Sequence, residues 1–373
     1  MIYLDNNAST RVDERVLNAM LPYFTDFYAN AGSSHIAGLS VNEAVALATW
    51  QTANLIGASE EEILFTSGAT EAINLAIKGL LNQDRKHIVT VATEHKAVLN
   101  TCRFMESNGF EVTYLPVAPD GALDFNVLNE SITDKTLIVI IMLSNNEIGY
   151  IQNIEAVSTI ADAKNALLMC DATQAIGKIN VDVKKLGIDF LALSAHKFYG
   201  PKGIGALYIS AKAKLKLMPQ IHGGNQQRKL RSGTLNVPGI IGLGKAAEIA
   251  FDELESDQKR ISKLRNKLEN GLLKFEGSFV NGNTENRICN TSNICFPGVN
   301  SETLILALQD ISVSNGSSCS AVTSEPSHVL KALGLSDENA LSSIRFSLGR
   351  FTTENEIDET IERVLVLAER LRV

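Results

Sequence analysis

The sequence predicts an α/β protein: a large domain built on a mostly parallel sheet flanked by helices, joined to a smaller α+β domain. Two observations predict it. Short apolar runs alternate with helix-spaced stretches from Ile63 to Ser210, the order expected of parallel strands with crossover helices. A long stretch from Gly244 to Phe275, rich in Asp, Glu, Lys and Arg on one side, then separates this pattern from a second, mixed one. We therefore expect residues 13–250 to form the large domain, and 1–12 with 251–373 the small one.

Taken in order, residues 1–12 are a short lead-in, and Val12 to Phe24 has helical spacing. A polar loop, Ala29 to His35, precedes an amphipathic helix from Ser40 to Ile56 that Gly57 stops. The alternation follows: helix 69–81, strand 87–93, helix 96–107, strand 111–117, helix 124–130, strand 136–143, helix 154–164 and strand 166–171. Strands starting at Phe190 and Gly203 close the large domain. Beyond the long helix come strand 292–296, helix 302–309, strand 311–314, helix 327–333, strand 343–348 and a last helix from Glu354.

Composition excludes several classes. The chain is 45% hydrophobic and 20% charged, with a net charge of -8 and no basic run, so nucleic-acid binding has no electrostatic support. Lys212, Lys214 and Lys216 alternate with apolar residues and read as a solvated face. The N-terminus has no basic stretch before its first acid, Asp5, and the apolar run Leu137 to Leu143 is too short to span a bilayer. The expectation is a soluble, cytoplasmic protein without a membrane partner. Five scattered cysteines without a Cys-x-x-Cys pair argue against a disulfide framework and against a structural metal site.

Four stretches at strand ends carry chemistry. Phe190 to Leu193 is a core strand that gives way to Ser194, His196 and Lys197. Alone, Lys197 reads as a surface lysine in a loop; beside apolar walls its amine is favoured in the neutral, nucleophilic form. Lys202 sits in a Pro-Lys-Gly turn and is assigned a structural or surface role. Phe65-Thr-Ser-Gly-Ala-Thr-Glu71 feeds a helix N-terminus, which offers N–H groups and hydroxyls to an anion, or is an ordinary cap. Asp171 ends strand 166–171, where a carboxylate is costly unless it meets a cation such as a protonated pyridine nitrogen. His95 follows strand 87–93 and could lie on a flat ring or relay protons. An anion cradle, a carboxylate for a ring nitrogen, an aromatic for a ring face and a lysine for an aldehyde together suit pyridoxal phosphate.

On these motifs the chain resembles the cysteine desulfurases of the NifS/IscS type, in the class V aminotransferase branch of fold-type-I pyridoxal-phosphate enzymes. The likeness also runs through Tyr3-Leu-Asp5, Asn145-Asn-Glu-Ile-Gly149, Asp171-Ala-Thr-Gln174, Arg231-Ser-Gly-Thr234 and Ser343-Ile-Arg345. It implies Lys197 as the Schiff-base lysine, His95 as the ring-stacking, proton-relaying histidine, and Asp171 and Gln174 as partners of the ring nitrogen and ring oxygen. It implies Ala69, Thr70, Ser194 and His196 at the phosphate, with Thr234 reaching it across a homodimer interface. Asn30, Asn146 and Arg345 would hold the L-cysteine substrate, Arg345 gripping its carboxylate.

Cys319 lies in Ser314-Asn-Gly-Ser-Ser-Cys-Ser-Ala-Val-Thr-Ser-Glu-Pro326, a small, polar stretch without apolar spacing. The resemblance implies that it carries the persulfide to a sulfur-acceptor protein, an iron–sulfur cluster scaffold being one candidate. The rival readings are a selenocysteine lyase or another class V lyase or aminotransferase, and a catalytically idle scaffold or regulatory homologue. A dinucleotide site is discounted for want of a Gly-x-Gly-x-x-Gly turn. Departures from the family pattern are Ala29-Asn30-Ala31 for Gly-Asn-Pro, Gln227 for an acid after the glycines, and Ser318 and Ser320 around the cysteine. The end at Val373 leaves out the extension that housekeeping members use to meet their scaffold, which puts that docking, though not the chemistry, in doubt.

Overall fold

The computed structural model describes residues 1–316 and 325–372. Its strands, in chain order, are β1 (Ile2–Tyr3), β2 (Ile63–Thr66), β3 (His87–Val91), β4 (Glu111–Leu115), β5 (Thr136–Ile140), β6 (Leu167–Asp171), β7 (Phe190–Ser194), β8 (Gly205–Ile209), β9 (Phe279–Val280), β10 (Thr291–Cys295), β11 (Ile311–Ser312) and β12 (Ser343–Ser347). Seven of them form one sheet in the order β2-β8-β7-β6-β5-β3-β4. Only β8 runs against its neighbours, pairing antiparallel with β2 and β7. The fold is that of the fold-type-I aminotransferases.

The strands β3, β5, β6, β7 and β8 are buried along their whole length, as a sheet covered on both faces requires. Successive side chains serve opposite faces: Leu191 and Leu193 enter one apolar cluster, Phe190 and Ala192 another. A third cluster gathers Ile2 and Leu4 with Ile294, Phe296, Ile344 and Phe346. The helix Val237–Leu272 serves two clusters, contributing Ile240 to Ala250 to the first and Ile261 to Leu272 to the third. β1 pairs in parallel with β11, and β10 is flanked by β12 and β9. No helix among the described residues is long and apolar enough to cross a membrane.

The elements differ from the sequence expectation mainly at their ends. The helix expected from Ser40 runs from Ile36 to Leu55, because His35 caps it with its ring Nδ1 accepting from Gly38 N. The long helix begins at Val237, seven positions ahead of Gly244, under an Asn236 cap. The expected strand to Thr93 stops at Val91, and the strand to Leu143 stops at Ile140.

Candidate active site

The carboxyl ends of β2, β3, β5, β6 and β7 share one edge of the sheet, and the candidate residues lie just past those ends. β7 ends in one tight turn, Ala195–Lys197, and Gly200 N closes back on the Ala195 carbonyl at 2.9 Å. This leaves Lys197 at the strand's mouth. Its Nζ donates to the carbonyls of Asn7 at 2.6 Å and Ala8 at 2.8 Å, both in the N-terminal lead-in. Burial, helped by the charge of Arg345 and opposed by Asp171 and Asp5, lowers its pKa to about 8.

Asp171 is the last residue of β6 and is buried; its Oδ1 accepts from Thr173 N at 2.9 Å. His95 caps the helix Lys96–Glu106, with Nδ1 accepting from Ala97 N at 3.1 Å. That bond places the ring proton on Nε2. Enclosure by protein, against the pull of Asp171 and with Lys197 and Lys96 adding to it, lowers the His95 pKa and keeps the ring neutral.

The anion end is made by β2 and the helix Ala69–Lys78. Gly68 has φ 155 and ψ -179, a conformation reserved for glycine, and gives the helix no side-chain cap. The first-turn N–H groups are thus available to an anion. A Cβ on Gly68 would sit 3.5 Å from Ser194 Oγ, inside the cradle. Glu71 stiffens the turn, accepting from Ser67 N at 2.7 Å and Arg231 Nε at 2.9 Å. Gln227 lies against the edge strand: its Oε1 accepts from Phe65 N at 2.7 Å and its Nε2 donates to Phe65 O at 2.8 Å. His196 Nδ1 lies 3.2 Å from Ser9 Oγ, and burial with three nearby lysines lowers its pKa to about 4.

Gln174 donates from Nε2 to the Asn7 carbonyl at 2.8 Å, the same oxygen that receives Lys197. The buried Lys178 donates to Gln174 O and Oε1, both at 3.0 Å. Burial, with the charges of Lys197 and Arg345 and against Cys289, lowers its pKa to about 7.

These groups enclose a cavity of about 530 Å³ lined by Ala69, Thr70, His95, Asn146, Asp171, Gln174, Ser194, His196 and Lys197. The volume is that of a cofactor site. Lys202 lines it too, which the sequence reading of a structural lysine did not foresee, because the chain doubles back between β7 and β8. Buried polar atoms without partners reach it: Ser144 Oγ, Asn146 Oδ1 and Thr173 Oγ1. Groups so placed await a polar ligand. On these observations the residues fit pyridoxal phosphate.

Arg345, on β12, stands behind this wall rather than in its lining. Its guanidinium donates to Asn146 O at 3.0 Å and Asp5 Oδ1 at 2.6 Å, and its Nε is buried without a partner. Asn30 and Thr234 do not line the 530 Å³ cavity of their own chain; together they line a second one of about 260 Å³. Cys319 lies outside the described residues. Burial raises the pKa of the other thiols, Cys102 to about 12, Cys289 and Cys295 to about 11, and Cys170 well above its usual value.

Beyond Lys202, sequence reasoning missed Lys178, the Asn7 and Ala8 carbonyls, and the buried Glu94 and Glu147.

The aminotransferase class-V family model matches residues 2–360. The cysteine desulfurase IscS of Pasteurella multocida is 49% identical over 377 aligned residues, covering 100% of this chain and 93% of that protein. That of Escherichia coli O139:H28 is 48% identical with the same coverage. Among solved structures, a NifS-like protein superposes with a TM-score of 0.93 at 39% identity, covering 99% of this chain and 100% of its own. SspA in complex with cysteine superposes with a TM-score of 0.85 at 37% identity, covering 95% and 100%.

Proposed function

Because the chain belongs to the aminotransferase class-V family, as a cysteine desulfurase, we propose that pyridoxal phosphate is held in the 530 Å³ cavity by Lys197. The observation that carries this reading is an amine with a pKa of about 8 at the mouth of a cavity also lined by Asp171, His95 and an uncapped helix N-terminus. Asp171 meets the ring nitrogen, His95 the ring face and Gln174 the ring oxygen. Ala69, Thr70, Ser194 and His196 hold the phosphate. When bound, the cofactor supplies an electron sink for negative charge at the substrate Cα.

The chain's own residues do the rest. Asn146 and Arg345 orient L-cysteine, Arg345 exchanging Asp5 for the substrate carboxylate. Lys197, as a free amine, takes the Cα proton, and the carbonyls of Asn7 and Ala8 stabilise the ammonium so formed. His95 moves a proton at Nε2, its Nδ1 being held by Ala97. The Cys319 thiolate attacks the substrate sulfur. An S–S bond forms, and the C–S bond breaks with its electron pair left on carbon, which is protonated to the methyl of alanine. Cys319 retains the persulfide for an acceptor protein, an iron–sulfur scaffold among the candidates.

We place the two bodies at 13–250 and at 1–12 with 251–373, a division supported by the change of cluster along the helix Val237–Leu272. A homodimer is supported by the exposed apolar side chains of Leu17, Leu21, Phe24, Tyr28 and Ile36, near the cavity lined by Asn30 and Thr234. Asn30 and Thr234 then act in the partner's site. We place the protein in the cytoplasm.

The test is alanine formation from L-cysteine by Lys197→Ala and Cys319→Ser, with peptide mapping of the persulfide. Cys319→Ser is expected to load the cofactor and release little sulfur. Near-normal turnover in either variant, or persulfide chiefly on another cysteine, overturns the assignment.

A further inference from the structure

We propose that Glu147 is a positioning residue for the sulfur-transfer step, tying the flanks of the segment that contains Cys319 to the substrate wall. The proposal rests on the reading of Cys319 as sulfur carrier.

Glu147 follows Asn146 in a turn fixed from both sides. Asn145 Oδ1 accepts from Glu147 N at 2.8 Å and Ile148 N at 3.1 Å, and Asn145 Nδ2 donates to Thr93 O at 3.1 Å, beside His95. The turn therefore moves with the cofactor wall. From it the carboxyl of Glu147 extends into the protein and is fully buried.

Both flanks of 317–324 meet that carboxyl. Ser327 Oγ donates to Glu147 Oε2 at 2.5 Å and itself accepts from Val329 N at 3.1 Å and Leu330 N at 3.3 Å, capping the helix His328–Ala332. On the other side Gly316, with φ +76, is packed so closely that a Cβ would overlap the same oxygen. Gly316 is thus required twice, by its backbone conformation and by the carboxyl beside it. The flanks are also tied independently to the site: Ser314 and Arg345 exchange backbone hydrogen bonds at 3.2 and 2.6 Å, and His328 Nε2 donates to Glu94 O at 3.0 Å.

A buried carboxyl is costly where an apolar residue would pack as well, so its retention points to the contacts it makes. Burial raises the Glu147 pKa to about 7, against the Ser327 hydroxyl and the charges of Arg345 and Lys96. Neutral or ionised, the group still accepts from Ser327. Displacing the flanks by an ångström is enough to cost roughly tenfold to a hundredfold in a transfer that depends on alignment.

The experiment uses the full-length, cofactor-loaded protein as Glu147→Ala, Glu147→Gln, Ser327→Ala and Cys319→Ser. Glu147→Ala is expected to keep the cofactor absorbance and the KM for L-cysteine within about twofold while kcat for alanine formation falls roughly tenfold or more. Glu147→Gln, which still accepts from Ser327, restores most of kcat. Should Glu147→Ala not fold, Ser327→Ala carries the test, with the same loss in kcat and none in KM. Wild-type kcat in Glu147→Ala or Ser327→Ala, or equal loss in Glu147→Ala and Glu147→Gln, overturns the proposal. Normal turnover in Cys319→Ser overturns instead the reading on which it rests.

Discussion

The amine of Lys197 must be neutral to attack an aldehyde, so cofactor attachment should report its pKa directly. With a pKa of about 8, roughly one amine in eleven is neutral at pH 7. An ordinary lysine near 10.4 would offer about one in 2,500, some 200-fold fewer. The initial rate at which apoprotein binds pyridoxal phosphate, followed by the absorbance of the lysine-bound form, should rise about tenfold per pH unit up to about 8 and then level off. The second ionisation of the phosphate, near 6, lies below this window. Two substitutions should move the midpoint in opposite directions. Arg345→Met removes a neighbouring positive charge and should raise it; Asp5→Asn removes a negative one and should lower it. Burial, the largest cause, persists in both, so neither midpoint should reach 10.4. A rate still climbing beyond pH 10 in the wild type, or shifts of the same sign in both variants, would refute the argument.

Other consequences are open to measurement. Lys178 and Lys197, held at about 7 and about 8, each bind a proton in the unfolded chain that the folded apoprotein gives up, so each makes a contribution to stability that grows with pH from about 7. Each contribution is at most about 1.4 kcal/mol per pH unit, and it is opposed by the buried Glu94 carboxyl, which burial holds protonated, and near pH 8.5 by the buried thiols, which stay protonated where unfolded cysteines ionise. Between about pH 7 and 8.5 the stability of Lys178→Met, followed by thermal melts, should have a slope lower than that of the wild type by up to that amount, and an unchanged slope would exclude Lys178 as a cause. Arg287→Met should cost about 3–5 kcal/mol in denaturant unfolding, since it strands the buried Glu269 carboxylate now held at 2.7 and 2.8 Å. Gly205→Ala should cost about 1–3 kcal/mol and weaken inorganic phosphate binding, because its Cβ would run into Leu193 O and stand 2.7 Å from Gly68 Cα. A normally stable variant with unaltered phosphate affinity would mean that β8 does not set the cradle.

The sheet was legible because its strands are buried on both faces and read as unbroken apolar runs, Phe190 to Leu193 being the plainest. For the same reason Lys197, Asp171 and His95 stood out: each is polar at or shortly past the end of such a run. What escaped notice leaves no residue signature. The acceptors of Lys197 are backbone carbonyls, which any two residues would supply in place of Asn7 and Ala8. Lys178 stands between Gly177 and Ile179 as a lone charge in a short apolar stretch, and is buried because the turn after β6 folds inward onto Gln174. Lys202 reaches the cavity through the antiparallel return of β8, a reversal that periodicity does not encode. Asn30 and Thr234 share a cavity away from Lys197 of their own chain, a juxtaposition that sequence spacing does not encode.

The Asn7 and Ala8 carbonyls that hold Lys197 have a consequence for how the protein is made. Their segment is fastened by β1 to β11 and by Asn6 Nδ2 to Ser347 O, 341 positions away. Residues made early therefore dock on residues made some 341 positions later. At ordinary elongation speeds they wait roughly 20 to 70 s for that partner. The large domain can complete its sheet in the meantime, with Asp171, His95 and Lys197 already at its edge. Gln174 and His196 hold the lead-in as well, so a chain cut short before Ile311 would carry every strand of the seven-stranded sheet with the carbonyls that grip Lys197 fastened from the large-domain side alone.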